Sequence, residues 1–211
     1  MDNNRLYSAR YMKFETESKK SASVLIGSDC LVGDLYTVDF EYTVTGLKMW
    51  FINKFNTRCG FTTSPEVQDL ITLHESGMKF SAVLSYIAFT QDPTPGHYWG
   101  EFAVFSYNPK YTNEFKGLIS RISKLQQDGI RCDLVIGNLG LEKILSGDNN
   151  FTPAGRQNLP SKLPNTVILK SKLSAKDKLI EKGRSRSIGC FISSWVFLLL
   201  IVTGIVYLLT R

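Results

Sequence analysis

The segment DPTPGHYWGE contains the residues best suited to chemistry in this sequence. His97 is one of two histidines, and Asp92 and Glu101 lie close to it in the chain. A histidine with neighbouring carboxylates could act in general acid-base catalysis. Tyr98 and Trp99 could line a ligand pocket beside it, since loops of this kind often carry function. An ordinary strand connector with one exposed histidine is the alternative interpretation.

The sequence predicts neither a metal site nor a cofactor site. His74 shares the apolar stripe of a predicted helix, where a core histidine is the simpler interpretation. A metal site would need a second histidine or a tight carboxylate cluster near His97. Neither a phosphate-binding glycine loop nor a Gly-x-Ser-x-Gly turn occurs. An enzyme is therefore less favoured than a binding protein.

The four cysteines, Cys30, Cys59, Cys132 and Cys190, are widely spaced and include no C-x-x-C pair. This spacing is typical of reduced thiols in a cytoplasmic compartment. It argues against a disulfide framework or a zinc site.

Residues 188–209 form an uncharged, mostly apolar stretch of 22 residues. At ~1.5 Å of rise per residue, a helix of this length would cross the hydrocarbon core of a bilayer. The stretch therefore predicts a transmembrane helix, with a buried core helix as the alternative. A basic cluster precedes it, consisting of Lys170, Lys172, Lys176, Lys178, Lys182, Arg184 and Arg186.

Basic residues next to a membrane span mark its cytoplasmic side. Together with the C-terminal position of the span, they predict a single-pass, tail-anchored membrane protein with a cytoplasmic N-terminal domain. The basic cluster would lie on the membrane surface and meet anionic lipid headgroups; a solvated charged stalk is the alternative. Gly189 and Ser193 are spaced as in helix dimers, so homo-oligomerisation through the span is a further expectation.

The formal net charge of +6 comes from residues 170–186 and Arg211. Residues 1–169 carry equal numbers of basic and acidic side chains. Binding to a phosphate backbone needs a basic surface, so this balance argues against a nucleic-acid partner.

The pattern of apolar residues predicts an α+β fold with a mixed or largely antiparallel sheet and two to three packing helices. Residues 36–44 alternate between apolar and polar side chains, as in a strand with one buried face. We expect a cytoplasmic domain over residues 1–146, a flexible linker and basic segment over 147–187, and the membrane helix over 188–209. Strands are predicted over residues 5–17, 22–27, 35–44, 47–55, 79–90, 98–107 and 130–137, and helices over 65–75, 113–128 and 139–145. Residues 174–183 fit either a short amphipathic helix on the membrane surface or a solvated charged stalk.

The run KMWFINKFNTRCGFTTSPEVQDLITLHESG resembles the latter part of a HIRAN module. In that family a strand, a Gly-aromatic step and a helix ending in glycine follow one another. The resemblance covers about 30 residues. It implies binding of DNA ends.

We expect the cytoplasmic domain to bind a protein partner or a small ligand at the membrane, as an adaptor or recruitment module. One alternative is a membrane-tethered enzyme centred on His97, Asp92 and Glu101. Another is an oligomerising effector whose membrane helices cluster.

Overall fold

The computed structural model describes residues 6–44, 46–63, 65–148, 150–160, 164–184, 197–201 and 203. Met1–Leu173 form one compact unit, and Ser174–Arg211 form another. The strands of the first unit are β1 (Tyr7–Glu15), β2 (Leu35–Thr43), β3 (Gly46–Ile52), β4 (Arg58–Thr62), β5 (Lys79–Thr90), β6 (His97–Tyr107) and β7 (Thr166–Lys170). Its helices are α1 (Ser23–Ile26), α2 (Glu66–Glu75), α3 (Thr112–Gln127) and α4 (Asn138–Leu145), while α5 (Ala175–Arg184) belongs to the second unit.

The strands form one antiparallel sheet in the order β2-β3-β4-β1-β6-β5-β7, and pairing of β2 with β5 closes six of them into a barrel. The prediction of an open α+β sheet is therefore wrong. Closure depends on the length of β5, whose Ala82 and Val83 pair with β2 while its last residues pair with β7. A register shift between Leu84 and Tyr86 separates these two parts. Such a bulge bends a strand, and local sequence periodicity does not reveal it.

Aromatic side chains fill the barrel. The Phe102 ring lies 4.7 Å from that of Phe14 and 4.0 Å from that of Phe51. Gly60 and Gly100 leave room for Phe14, because a Cβ atom on either would lie within 3 Å of its ring. Helix α2 adds Val67, Leu70 and Ile71 to this core cluster.

A second core cluster lies on the outer face of β1, β5 and β6. Helix α3 packs Phe115, Leu118, Ile119 and Ile122 against these strands, and α4 adds Leu141 and Ile144. The spacing of these residues matches the stripe predicted from the sequence. Since α3 lies beside the point where β2 meets β5, it supplies one wall of the candidate site below.

Four segments differ from the local predictions. Residues 22–27 contain the short helix α1, because Ala22 and Leu25 pack into the barrel core. Strand β4 was not predicted, and residues 130–137 contain only an isolated bridge between Cys132 and Arg156. Residues 147–187, predicted as a flexible linker and basic segment, contain β7, while α5 falls where a short amphipathic helix was one of the two alternatives. Strand β7 is a short apolar run that becomes a strand by pairing with β5.

In the part of the chain that the structure describes, no helix has the length and apolar character needed to cross a membrane. The predicted transmembrane helix over 188–209, and with it the classification as a single-pass, tail-anchored membrane protein, is therefore corrected. Of that stretch the structure describes residues 197–201 and 203, which are helical. Apolar character alone does not specify how far a helix extends, and a span needs roughly 20 helical residues. The other residues of the prediction, including Gly189 and Ser193, lie outside the described residues.

Candidate functional site

A cleft of about 430 Å³ opens beside the seam where the barrel closes. Strands β2 and β5 pair only through Leu35 with Val83 and Tyr36 with Ala82. The start of β2, the end of β3 and helix α3 bound the cleft. Its volume falls in the range of small-molecule pockets, which often lie at the mouths of barrels.

The walls of the cleft are largely apolar. Leu35 and Ile52 line the strand side, and Ile119 lines the helix side. Ile119 is buried, whereas Leu35 is 52% exposed. An exposed leucine beside a buried isoleucine offers apolar surface that a ligand would remove from water.

Asn53 places a buried hydrogen-bond donor in the wall of the cleft. Its Oδ1 accepts hydrogen bonds from the backbone N–H groups of Phe55 and Thr57, each at 3.0 Å. The residue is 5% exposed, and within the described residues its Nδ2 has no hydrogen-bond partner. Leaving such a donor unpaired costs about 1–3 kcal/mol. The Nδ2 atom is enclosed by protein, so it is not a donor that opens to the cleft.

Two lysines add positive charge to the cleft. Lys54 follows Asn53 at the end of β3, and Lys116 extends from α3. Both are exposed, and neither forms an ion pair with another described residue. Lys54 Nζ lies 5.4 Å from the centre of the Phe55 ring. Two cations beside apolar walls favour a ligand with an anionic group and an apolar body.

The residues lining the cleft do not include a histidine, a cysteine or a carboxylate. Its titratable side chains are those of Tyr36, Lys54 and Lys116.

The structure gives the predicted catalytic residues separate partners. Asp92 accepts a hydrogen bond from Asn165. Glu101 forms an ion pair with Arg131 at 2.8 Å. His97 begins β6 and pairs with Thr90. Glu101 lies four positions further along the strand, a distance of roughly 13 Å. The three groups do not form one constellation.

Tyr98 and Trp99, predicted to line a pocket, lie on opposite faces of β6 because side chains alternate along a strand. The Tyr98 ring packs 4.8 Å from Phe89. Trp99 is 6% exposed, and its Nε1 donates to Thr90 Oγ1 at 2.8 Å. Tyr98 and Trp99 therefore belong to two separate packing clusters.

Glu101 belongs to a buried ion-pair cluster on the outer face of the barrel. Arg131 donates to Glu101 Oε2 at 2.8 Å and to Ser85 Oγ at 2.7 Å. The guanidinium carbon lies 4.0 Å from the centre of the Tyr11 ring and 5.6 Å from that of Tyr86. Burial raises the pKa of Tyr86, and the negative charge of Glu101 adds to the effect.

The predicted membrane-surface residues fall in different places. Lys170 lies on β7, where its Nζ donates to the carbonyl oxygens of Gly27 at 2.7 Å and Cys30 at 2.9 Å. Lys172 follows β7 and lies near Gly129, where an added Cβ would be 3.2 Å from Lys172 Cβ. Arg186 lies outside the described residues. On α5 are Lys176, Lys178, Lys182 and Arg184.

Among the residues described, no group of three His, Cys, Asp or Glu side chains is placed to hold a metal ion. The structure thus offers no coordination geometry from which to argue metal chemistry.

Sequence reasoning did not single out Asn53, Lys54 or Lys116. An asparagine at a strand end before a polar run is typical of a side chain that closes a turn. The sequence could therefore have indicated that Asn53 Oδ1 accepts hydrogen bonds within a turn. No sequence pattern predicted that Lys116 lies near β3, because its position depends on how α3 packs on the barrel.

The local order implied by the HIRAN resemblance is present: β3 is followed by Gly60 and Phe61, then by α2 and Gly77. Comparison of the chain with protein-family models, with curated proteins and with solved structures yields no match. The resemblance therefore stays a sequence-based prediction, and function is argued below from the geometry of the cleft.

Proposed function

We propose that this protein is a binding module that holds a small ligand with an apolar body and an anionic group in the cleft between β2, β3 and α3. The observation that carries the proposal is a cleft of about 430 Å³ whose apolar walls lie beside two exposed lysines. The positive charges of Lys54 and Lys116 support it. The acceptor on the ligand would be a carboxylate, sulfonate or phosphate oxygen.

The energetic contributions in this proposal are distinct. Burial of apolar ligand surface against Leu35, Ile52 and Ile119 supplies most of the affinity, because it scales with the area removed from water. The lysines favour an anion over a neutral molecule, and at exposed positions this preference weakens with salt.

We do not propose a catalytic role for His97, since Asp92 and Glu101 have other partners. The expected protein partner and the expected homo-oligomer stay predictions.

Two matched dyes test the proposal. Anilinonaphthalenesulfonate has an apolar ring system and a sulfonate, while phenylnaphthylamine has the same rings without the charge. We expect the anionic dye to bind the protein more tightly in a fluorescence titration. Replacing both lysines, Lys54→Met with Lys116→Met, should weaken binding of the anionic dye roughly tenfold, about 1.4 kcal/mol, and leave the neutral dye unchanged.

A further variant gives the test its control. Lys124→Met removes an exposed lysine from the same helix as Lys116 but outside the cleft, and should have no effect. The proposal would be contradicted if Lys124→Met weakened binding of the anionic dye as much as the double variant does. It would also be contradicted if the double variant weakened binding of both dyes equally.

A further inference from the structure

Two thiols from distant parts of the chain meet inside the barrel. Cys30 lies in the loop between α1 and β2, and Cys59 lies on β4. Their Sγ atoms are 3.4 Å apart. Both residues are buried, at 0% and 2% exposure. This contact had no signal in the cysteine spacing, because it depends on β4 passing beneath the loop.

The two thiols are chemically unequal. The hydrogen bond from Cys59 lowers the pKa of Cys30, and the positive charge of nearby Lys170 acts in the same direction. The same contact, together with burial, raises the pKa of Cys59. Lys170 is held near the loop by its hydrogen bonds to the carbonyl oxygens of Gly27 and Cys30. Cys30 is therefore the better nucleophile of the pair.

We propose that Cys30 and Cys59 form an intramolecular disulfide when the protein meets an oxidised low-molecular-weight disulfide such as glutathione disulfide. The Cys30 thiolate attacks one sulfur of the oxidant, forming a mixed disulfide and releasing one glutathione thiolate. Cys59 then loses its proton and attacks Cys30 Sγ, which breaks the mixed disulfide and releases the second glutathione thiolate. The two thiol protons end on the two glutathione molecules, and the protein loses two electrons.

Access to Cys30 comes from the loop itself. Residues 26–29, which precede Cys30, are exposed. Local opening of this short segment uncovers the Cys30 thiol without unfolding the barrel, since stability varies across a structure. Cys132 offers a comparison within the same chain, because it is equally buried but lies in the outer core cluster. Burial raises the pKa of Cys132.

The test exposes the full-length chain to mixtures of reduced and oxidised glutathione, then denatures it, alkylates the remaining thiols and maps peptides by mass spectrometry. We expect a linked Cys30–Cys59 peptide, with Cys132 still alkylated. If Cys30 and Cys59 both stay fully alkylated under the most oxidising mixture, or if Cys132 is linked instead, the proposal is overturned.

Variants test the order of the two steps. In Cys59→Ser the mixed disulfide on Cys30 should accumulate, because nothing displaces its glutathione. In Cys30→Ser no glutathione should attach to Cys59, and Cys132→Ser should oxidise like the original chain. Attachment to Cys59 in Cys30→Ser would overturn the assigned order. The peptide map of the unmutated protein decides the main proposal if either serine variant fails to fold.

Discussion

At the scale of single residues, burial distinguishes the ion pair of Arg131 with Glu101 from the ion pairs of Arg58. The side chains of Arg131 and Glu101 are 7% and 15% exposed. Arg58 forms comparable pairs with Asp39 and Glu41, but its side chain is 45% exposed. A buried ion pair broken on one side leaves an uncompensated charge, whereas a surface pair contributes little. We therefore assign Glu101 a role in stability, through its ion pair with Arg131.

We expect Arg131→Met to lower the free energy of unfolding by about 3 kcal/mol, because it leaves Glu101 without its partner. Urea denaturation measures the change. Arg58→Met is the matched control, since Arg58 also pairs with carboxylates and lies 4.6 Å from the Trp50 ring. It should cost less than about 1 kcal/mol. Equal decreases in the free energy of unfolding in the two variants would show that burial does not increase the contribution of the Arg131–Glu101 pair to stability.

At the scale of elements, two glycines allow the strands to close around Phe14. A Cβ on Gly100 would lie 2.1 Å from the Tyr86 carbonyl oxygen and 2.8 Å from the Phe14 ring. Backbone atoms of β5 and a buried ring cannot both move away without disturbing the barrel. The glycine is therefore required by the packing of β5, β6 and β1.

We expect Gly100→Ala to cost about 3 kcal/mol of stability through overpacking. Gly137→Ala is the control, because a Cβ at Gly137 meets nothing within 4 Å. Gly137 precedes α4, where alanine in place of glycine should cost less than about 1 kcal/mol. Thermal or urea unfolding compares the two. A stable Gly100→Ala variant would mean that β5 and β6 pack less tightly than described.

At the scale of the whole molecule, contacts between distant segments hold the barrel together. Strand β7 comes late in the first unit yet pairs with β5, and its Lys170 reaches the loop before β2. This lysine joins residues more than 100 positions apart in the chain. It stabilises the segment that contains Cys30.

Lys170→Met should lower the free energy of unfolding by about 2 kcal/mol, because hydrogen bonds to a charged donor are worth more than neutral ones. Lys176→Met, on α5, is the control and should change it by less than about 0.5 kcal/mol. Hydrogen exchange of residues 27–34 gives a second measurement, and exchange should rise only in the Lys170 variant. Unchanged exchange there would contradict the role of this contact.

The sequence by itself determined most of the local structure. Strands β2, β3, β5 and β6 and helices α2, α3 and α4 followed from apolar periodicity, because period and burial face are local properties. Gly77 was predicted to end α2, and its φ is +86°. The short strands β4 and β7 lacked such a pattern.

Only the tertiary structure decided that the sheet closes, where the cleft lies and which thiols meet. Leu35 pairs with Val83, Asn53 faces the same cleft as Lys116, and Cys30 contacts Cys59. Each of these depends on segments far apart in the chain, and the energy that joins them comes from packing around a shared core. Local periodicity contains no information about such pairings, so the candidate site became visible only once the barrel was closed.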